Sequence, residues 1–250
     1  MNHHAATDPL GRDAARIKMP QGRVSLILNM VSGWVDAVGY LALLASIQMF
    51  PSFMSGNLTK IVTDAVSGSP MRSVMIGGAV LSFFAGAVVA RLVNGGRARR
   101  DPASLGLVSA VLGISGLNLL LGGFEYVTLL AMAAAMGMIN NAYSGRMQFH
   151  VHTFLSGIWV ALATAVADRI AGRAGWEAAV VPGVTMLSVL TGALAGALSV
   201  TYAPLSVSIL MPTAVIGVIA LALLAGLIPV EDPDDETRGA GRATRTRPFS

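Results

Sequence analysis

Six stretches of the chain are each apolar over about the 20 residues that a helix needs to cross a bilayer, at roughly 24–47, 72–94, 104–122, 125–146, 178–200 and 205–229. A backbone in hydrocarbon must satisfy its own polar groups, so runs of this length read as membrane helices and not as strands or loops. Ionisable residues gather between the runs, at 12–23, 91–101, 168–177 and from 231 onward. Only 12% of residues are charged, with a mean hydropathy of +0.67, against about 25% charged in soluble domains. The expected fold is an all-α transmembrane domain over 23–229, between a polar arm at 1–22 and a disordered tail at 230–250.

The formal charge of +4 does not point to nucleic acid. The basic residues flank apolar runs, where they set orientation, and form no basic face with interleaved aromatics. The absence of cysteine from the sequence excludes disulfides, thiolate catalysis and cysteine-bound metal. The polar arm, with His3 and His4, carries no cleavable signal and reads as a mobile terminus.

Two shorter and more polar segments, 53–66 and 151–167, decide the topology. If both span, there are eight helices, and Arg97, Arg99 and Arg100 fall on the opposite side from Arg12, Arg16, Lys18 and Arg23, against the positive-inside bias. If both dip in and return, there are six spans with both termini cytoplasmic, and Lys60 and Arg72 remain outside as a modest cost. Six spans in the cell inner membrane is the favoured expectation, with eight as the rival.

The chain also repeats itself. Gly33-x-x-Asp36-Ala37 is followed by Phe53-Met54-Ser55-Gly56-Asn57, and Gly137-x-x-Asn140 by Phe154-Leu155-Ser156-Gly157. Ser82, Gly86, Ala87 and Ala90 match Ser188, Gly192, Ala193 and Gly196 at one offset. The reading is a tandem duplication, repeat one at 23–122 and repeat two at 123–229. Three spans per half is odd, so the halves would be inverted, each with a short broken or re-entrant segment.

Asp36 falls near the middle of the first run, where a carboxylate costs at least about 2.5 kcal/mol unless paired, protonated or hydrated. One reading is a coupling-ion or proton site, the other a helix-to-helix contact; Asn140 keeps the polarity in the second half without the charge. Ser32, Asp36 and Tyr40 share a helix face, beside the small residues Gly33 and Ala37. The expected neighbour of that strip is Ser55-Gly56-Asn57, read as a loop and break before a short helix. Such a break offers free amides or carbonyls to a ligand. The plainer alternative makes Ser55 an N-cap, with Gly56 and Asn57 easing a turn. Ser156 and Gly157 repeat the element. Lys60 is the preferred ion partner of Asp36, and Asp64, one turn along, is its alternative.

Gly78, Ser82, Gly86 and Ala90, like Ser188, Gly192 and Gly196, read as helix-packing strips. The thirteen methionines, scattered over most helices, read as adaptable packing. His150 and His152 point apart on a helix and converge only on extended chain, so no metal site is expected. Trp176, beside Arg173 and Glu177, reads as an interfacial anchor. No P-loop, dinucleotide fingerprint, Gly-x-Ser-x-Gly or His-Glu-x-x-His occurs, so neither an enzyme nor a cofactor is expected.

The stretch from Gly33 through Asp36, Ala37 and Gly39 to Tyr40, then Phe50, Phe53, Met54, Ser55, Gly56, Asn57 and Leu58, resembles the signature of the YoaK family, bacterial membrane proteins with a domain of unknown function. The resemblance covers about 22–229 and includes Thr153, Ser156 and Gly157 in the second half. It implies a bacterial inner-membrane location with about six spans, and no substrate. Ser55 stands where the family often has threonine, and Ile158 stands where the first half has Asn57, so the two half-sites are not equivalent. Two functions stay open: a small secondary transporter for an unknown solute or ion, or a non-transporting scaffold. Partners beyond the lipid bilayer, a homo-oligomer among them, are not fixed by the sequence.

Overall fold

The computed structural model describes residues 20–43, 47–94, 102–142 and 155–228. Those residues form eight helices and no strands: α1 Pro20–Leu41, α2 Met54–Val66, α3 Pro70–Val93, α4 Pro102–Leu120, α5 Glu125–Ala142, α6 Leu155–Ile170, α7 Glu177–Tyr202 and α8 Leu205–Leu224. Five of them, α1, α3, α4, α7 and α8, are long and apolar enough to cross a membrane, and Glu125–Asn140 of α5 is a shorter apolar helix. The helix bounds follow the punctuation. Prolines open α3 and α4, where the missing N–H has no helical partner to lose. Glycines in the left-handed region, Gly68, Gly122, Gly172 and Gly226, follow α2, α4, α6 and α8. At each of these ends the next amide reaches back to a carbonyl inside the helix: Ser69 to Asp64, Gly123 to Asn118, Arg173 to Asp168 and Leu227 to Ala222.

Side-chain contacts fix the helix directions. Gly192 abuts the Met30 carbonyl and Gly196 the Trp34 carbonyl, so α1 and α7 run parallel. On the other side of the molecule Gly86 abuts the Ala134 carbonyl, Gly137 abuts the Phe83 carbonyl, and the Tyr126 hydroxyl donates to the Met75 carbonyl at 3.1 Å, so α3 and α5 are parallel as well. Between α4 and α8 the order reverses: Gly116 lies against Leu210, Gly113 against Thr213 and Gly217 against Ser109, an antiparallel pair. The tight turns at Gly122–Gly123 and at Ala203–Pro204 fold α5 back on α4 and α8 back on α7. Thus α1, α4 and α7 run one way and α3, α5 and α8 the other.

α2 has 13 residues, about 20 Å of helix, shorter than a bilayer core of about 30 Å. It folds antiparallel onto α3, with the Ser73 hydroxyl donating to the Ile61 carbonyl at 2.7 Å, so it runs in the same direction as α1. A chain can follow α1 with a second helix of the same direction only by first turning back along it. Residues 47–53 make that return.

α1 is the most buried of the five apolar helices, with 56% of its window inside the molecule against at most 39% for the others. Leu28, Val31, Val35 and Val38 fill the core with Leu112, Met132, Met136 and Ile216. The outer faces of α3, α7 and α8 carry Leu81, Phe84, Leu187, Leu190, Leu194, Val218 and Leu221, all exposed. An apolar girdle of this kind is a lipid-facing surface.

Candidate functional site

Three faces of α1 have three occupants. Gly33 meets the backbone of α7 at Val189 and Ala193, where a Cβ would not fit. Trp34 reaches α8, its Nε1 donating to the Ser208 carbonyl at 2.9 Å. Ser32, Asp36 and Tyr40 all face the returning segment 47–53, as their fourfold spacing requires.

Asp36 binds that segment through one residue. The Ser52 amide donates to Oδ1 at 2.7 Å and the Ser52 hydroxyl to Oδ2 at 2.5 Å. Behind it, the Ser32 hydroxyl donates to Ser52 Oγ at 3.2 Å. Hydrogen bonds to a charged group contribute about 1.5–3 kcal/mol each, enough to offset an insertion cost of about 2.5–3.5 kcal/mol for a carboxylate. Tyr40 stacks on Phe50 at 4.7 Å between ring centroids, Phe50 meets Phe53 edge-on at 6.2 Å, and Pro51 packs on Gly39 with no room for a Cβ.

The opposite flank is held by α2. Asn57, 1% exposed, donates through Nδ2 to the Phe50 carbonyl at 2.7 Å. The Lys60 ammonium donates to the carbonyls of Ile47 at 2.5 Å and Gln48 at 3.2 Å, and Gln48 itself sits at φ +47°. Asp36, Asn57 and Lys60 therefore all bind the backbone of one non-helical segment.

Several expectations from the sequence need correction. The helix begins at Met54, so Ser55, Gly56 and Asn57 form its first turn and the break precedes them. Ser55 is not the cap: Phe53 holds that position without a side-chain hydrogen bond, and Ser55 is exposed. Gly56 lacks a Cβ because the Phe53 ring folds over it. The strip at Gly33 receives α7 instead of this turn, and Ser52 takes the place beside Asp36 that was expected of Ser55. Among the described residues Lys60 pairs with neither Asp36 nor Asp64, because the loop carbonyls hold its ammonium. Asp64 instead faces Arg72 Nε at 3.7 Å, beyond hydrogen-bonding distance.

In the second half Asn140 donates to the Met136 carbonyl one turn back, and its Oδ1 is buried without a partner among the described residues. Ser156 is exposed, Gly157 is half-buried, and Ile158 is buried where Asn57 is in the first half. His150, His152 and Thr153 lie outside the described residues, as do Arg97, Arg99, Arg100, residues 1–19 and residues 229–250; α1 starts at Pro20, within the stretch expected to be a polar arm. No group of acidic or histidine residues with metal-binding spacing occurs among the described residues. Trp176 is exposed, with the Arg169 guanidinium 5.7 Å from its ring centre, and Arg173 pairs with Asp168 at 2.7 Å.

Apolar helices of spanning length, an apolar girdle and polar groups turned onto a backbone that doubles back define a membrane-embedded helical protein. Residues 24–222 match the DUF1275 family, described as proteins of unknown function, and the chain belongs to that family. No curated protein and no solved structure matches it.

Proposed function

We propose that this chain is a six-span inner-membrane protein of two inverted repeats, and that it works as a small secondary carrier for a solute or ion. The observation that carries the reading is an exchange of helices between the halves. The glycine of α1, Gly33, meets Val189 and Ala193 of α7; the glycine of α5, Gly137, meets Phe83 and Ala87 of α3. Gly192 on Met30 is repeated by Gly86 on Ala134. One constant separation relates Gly33 to Gly137, Gly68 to Gly172 and Gly122 to Gly226. Exchanging the halves maps each contact onto its partner, and the antiparallel α4/α8 pair onto itself.

With α2 and α6 re-entrant, six crossings place Arg91, Arg169 and Arg173 on one side with the Arg-rich connections and termini, which supports that side as cytoplasmic. Two lobes built from exchanged inverted repeats can rock against each other and expose a midplane site to either face in turn. The narrower likeness to the YoaK family rests on the motif residues around Asp36 and Asn57 and adds no substrate.

One observation favours the scaffold reading: Asp36, Asn57 and Lys60 all bind the loop backbone, a structural task. The two readings part in liposomes. Parent protein and Asp36→Asn are reconstituted, and proton, sodium and solute-pool uptake are recorded beside thermal unfolding. The carrier reading expects flux in the parent that the folded variant loses. A parent that moves nothing, with a variant altered only in stability, overturns it in favour of the scaffold.

A further inference from the structure

A carrier with a midplane carboxylate needs a coupling ion, and the atoms around Asp36 restrict which one. Hard metal cations need several inward-facing oxygen lone pairs. Here both carboxylate oxygens face hydrogens instead, the Ser52 amide on Oδ1 and the Ser52 hydroxyl on Oδ2. Three carbonyls of the returning segment are already taken by side chains, Phe50 by Asn57 and Ile47 and Gln48 by Lys60.

A proton meets no such obstacle. The chain from Ser32 Oγ through Ser52 Oγ to Asp36 Oδ2 consists of two hydroxyls ending on a carboxylate, and a hydroxyl both donates and accepts. When Oδ2 gains a proton it becomes the donor to Ser52 Oγ, and the Ser52 proton turns to Ser32 Oγ. The Ser32 proton turns to the carbonyl one helical turn back, a bond open to any helical serine. The Ser52 amide stays on Oδ1 throughout. One proton is added, the site goes from one negative charge to none, and no heavy atom moves.

Among the described residues no competing charge acts on Asp36. Along α1 the next group on this face is Tyr40, stacked on Phe50; from α2 comes Lys60, held on the loop carbonyls. Of the other helices packed on α1, α5 and α7 carry a single acidic residue each, Glu125 and Glu177, in their first turns, and α8 carries no ionisable residue.

We infer that the Asp36–Ser52–Ser32 chain takes up a proton, not an alkali or alkaline-earth cation, as the coupling ion of this protein. The inference rests on the carrier reading, and its test needs no flux. Full-length protein in nanodiscs of neutral lipid is acidified while infrared difference spectra follow the carbonyl stretch of a protonated carboxyl group. The same titration is run in sodium, potassium and a large organic cation at one ionic strength. The expected result is a band that is lost in Asp36→Asn, that shifts in frequency in Ser52→Ala, and whose midpoint is the same in all three salts. A midpoint driven to lower pH by sodium or potassium overturns the inference, because a metal then competes with the proton. Absence of the band, or a band indifferent to both substitutions in protein still folded by circular dichroism, overturns it too. A protein that titrates as expected yet moves no solute defeats the carrier reading alone.

Discussion

The indole of Trp34 donates to the Ser208 carbonyl at 2.9 Å, and Ser208 is the residue whose helical partner Pro212 removes. A proline inside a helix has no N–H for the carbonyl four residues back, so α8 carries a break in its ladder. α1 fills the break with a side chain from another element, as membrane helices interrupted by proline require. Replacing Trp34 by Phe is expected to lower stability by about 1–3 kcal/mol, the usual consequence of orphaning a buried acceptor, beyond the small change in packing. Pro212→Ala restores an N–H at the break, so the Trp34→Phe penalty should shrink in that background. Unfolding in detergent of the four proteins of this cycle measures the difference. Equal penalties in both backgrounds would mean that the indole bond does not compensate for the N–H that Pro212 lacks.

A second prediction separates glycines by what they face. A Cβ at Gly33, Gly192, Gly86 or Gly137 would collide with backbone of the neighbouring helix, whereas Gly77 and Gly106 face open space. Alanine at any of the first four is expected to cost about 1–3 kcal/mol by overpacking. At Gly77 or Gly106 alanine should be neutral or stabilising by up to about 1 kcal/mol, because it is the better helix former. If Gly33→Ala and Gly137→Ala differed greatly, the equivalence of the two exchanged pairs would fail with them.

The long helices were legible in the sequence as apolar runs of spanning length, although the first helix ends at Leu41 and not near 47; the residues that mark the ends, Pro70 and Pro102 at starts and Gly68, Gly122, Gly172 and Gly226 after ends, were not used to place them. The common face of Ser32, Asp36 and Tyr40 followed from spacing alone. Ser52 did not. It lies outside any helix, and its partnership with Asp36 exists only because the chain doubles back, a path set by tertiary packing of Pro51 on Gly39 and Phe50 on Tyr40. One signal was there to be read: a hydroxyl residue immediately precedes both Phe53 and Phe154. Lys60 departs from the expected pairing with Asp36 because its ammonium is held by the carbonyls of Ile47 and Gln48, which belong to a segment whose path the sequence does not reveal.

Ser52 and Ser55 offer a third prediction, since they lie three residues apart with opposite surroundings. Ser52 is 2% exposed and donates twice to Asp36, while Ser55 is exposed and makes no side-chain cap. Ser52→Ala keeps the amide bond and loses the hydroxyl, an expected cost of about 1–3 kcal/mol with faster proteolysis of the returning segment. Ser55→Ala should stay within about 0.5 kcal/mol of the parent. A larger effect at Ser55 than at Ser52 would restore the first-turn residues as the functional contact.

Topology is open to direct measurement because the sequence contains no cysteine, so single cysteines report without background. The antiparallel pairing of α4 and α8 sets Gly116 beside Leu210, near the end of one helix and the start of the other. The turns at Gly123 and Ala203 therefore share one side of the molecule, together with Gly68 after α2. Gly172 lies on the opposite side, because α7 rises from there to reach Ala203. An eight-span arrangement would put the first two turns on opposite faces, since each short helix would add a crossing. A membrane-impermeant maleimide applied to oriented membranes should label cysteines at 68, 123 and 203 from one side and a cysteine at 172 from the other. Labelling of 123 and 203 from different sides would remove the inverted repeat, and with it the reason for reading two exchanged helix pairs as the moving parts of a carrier.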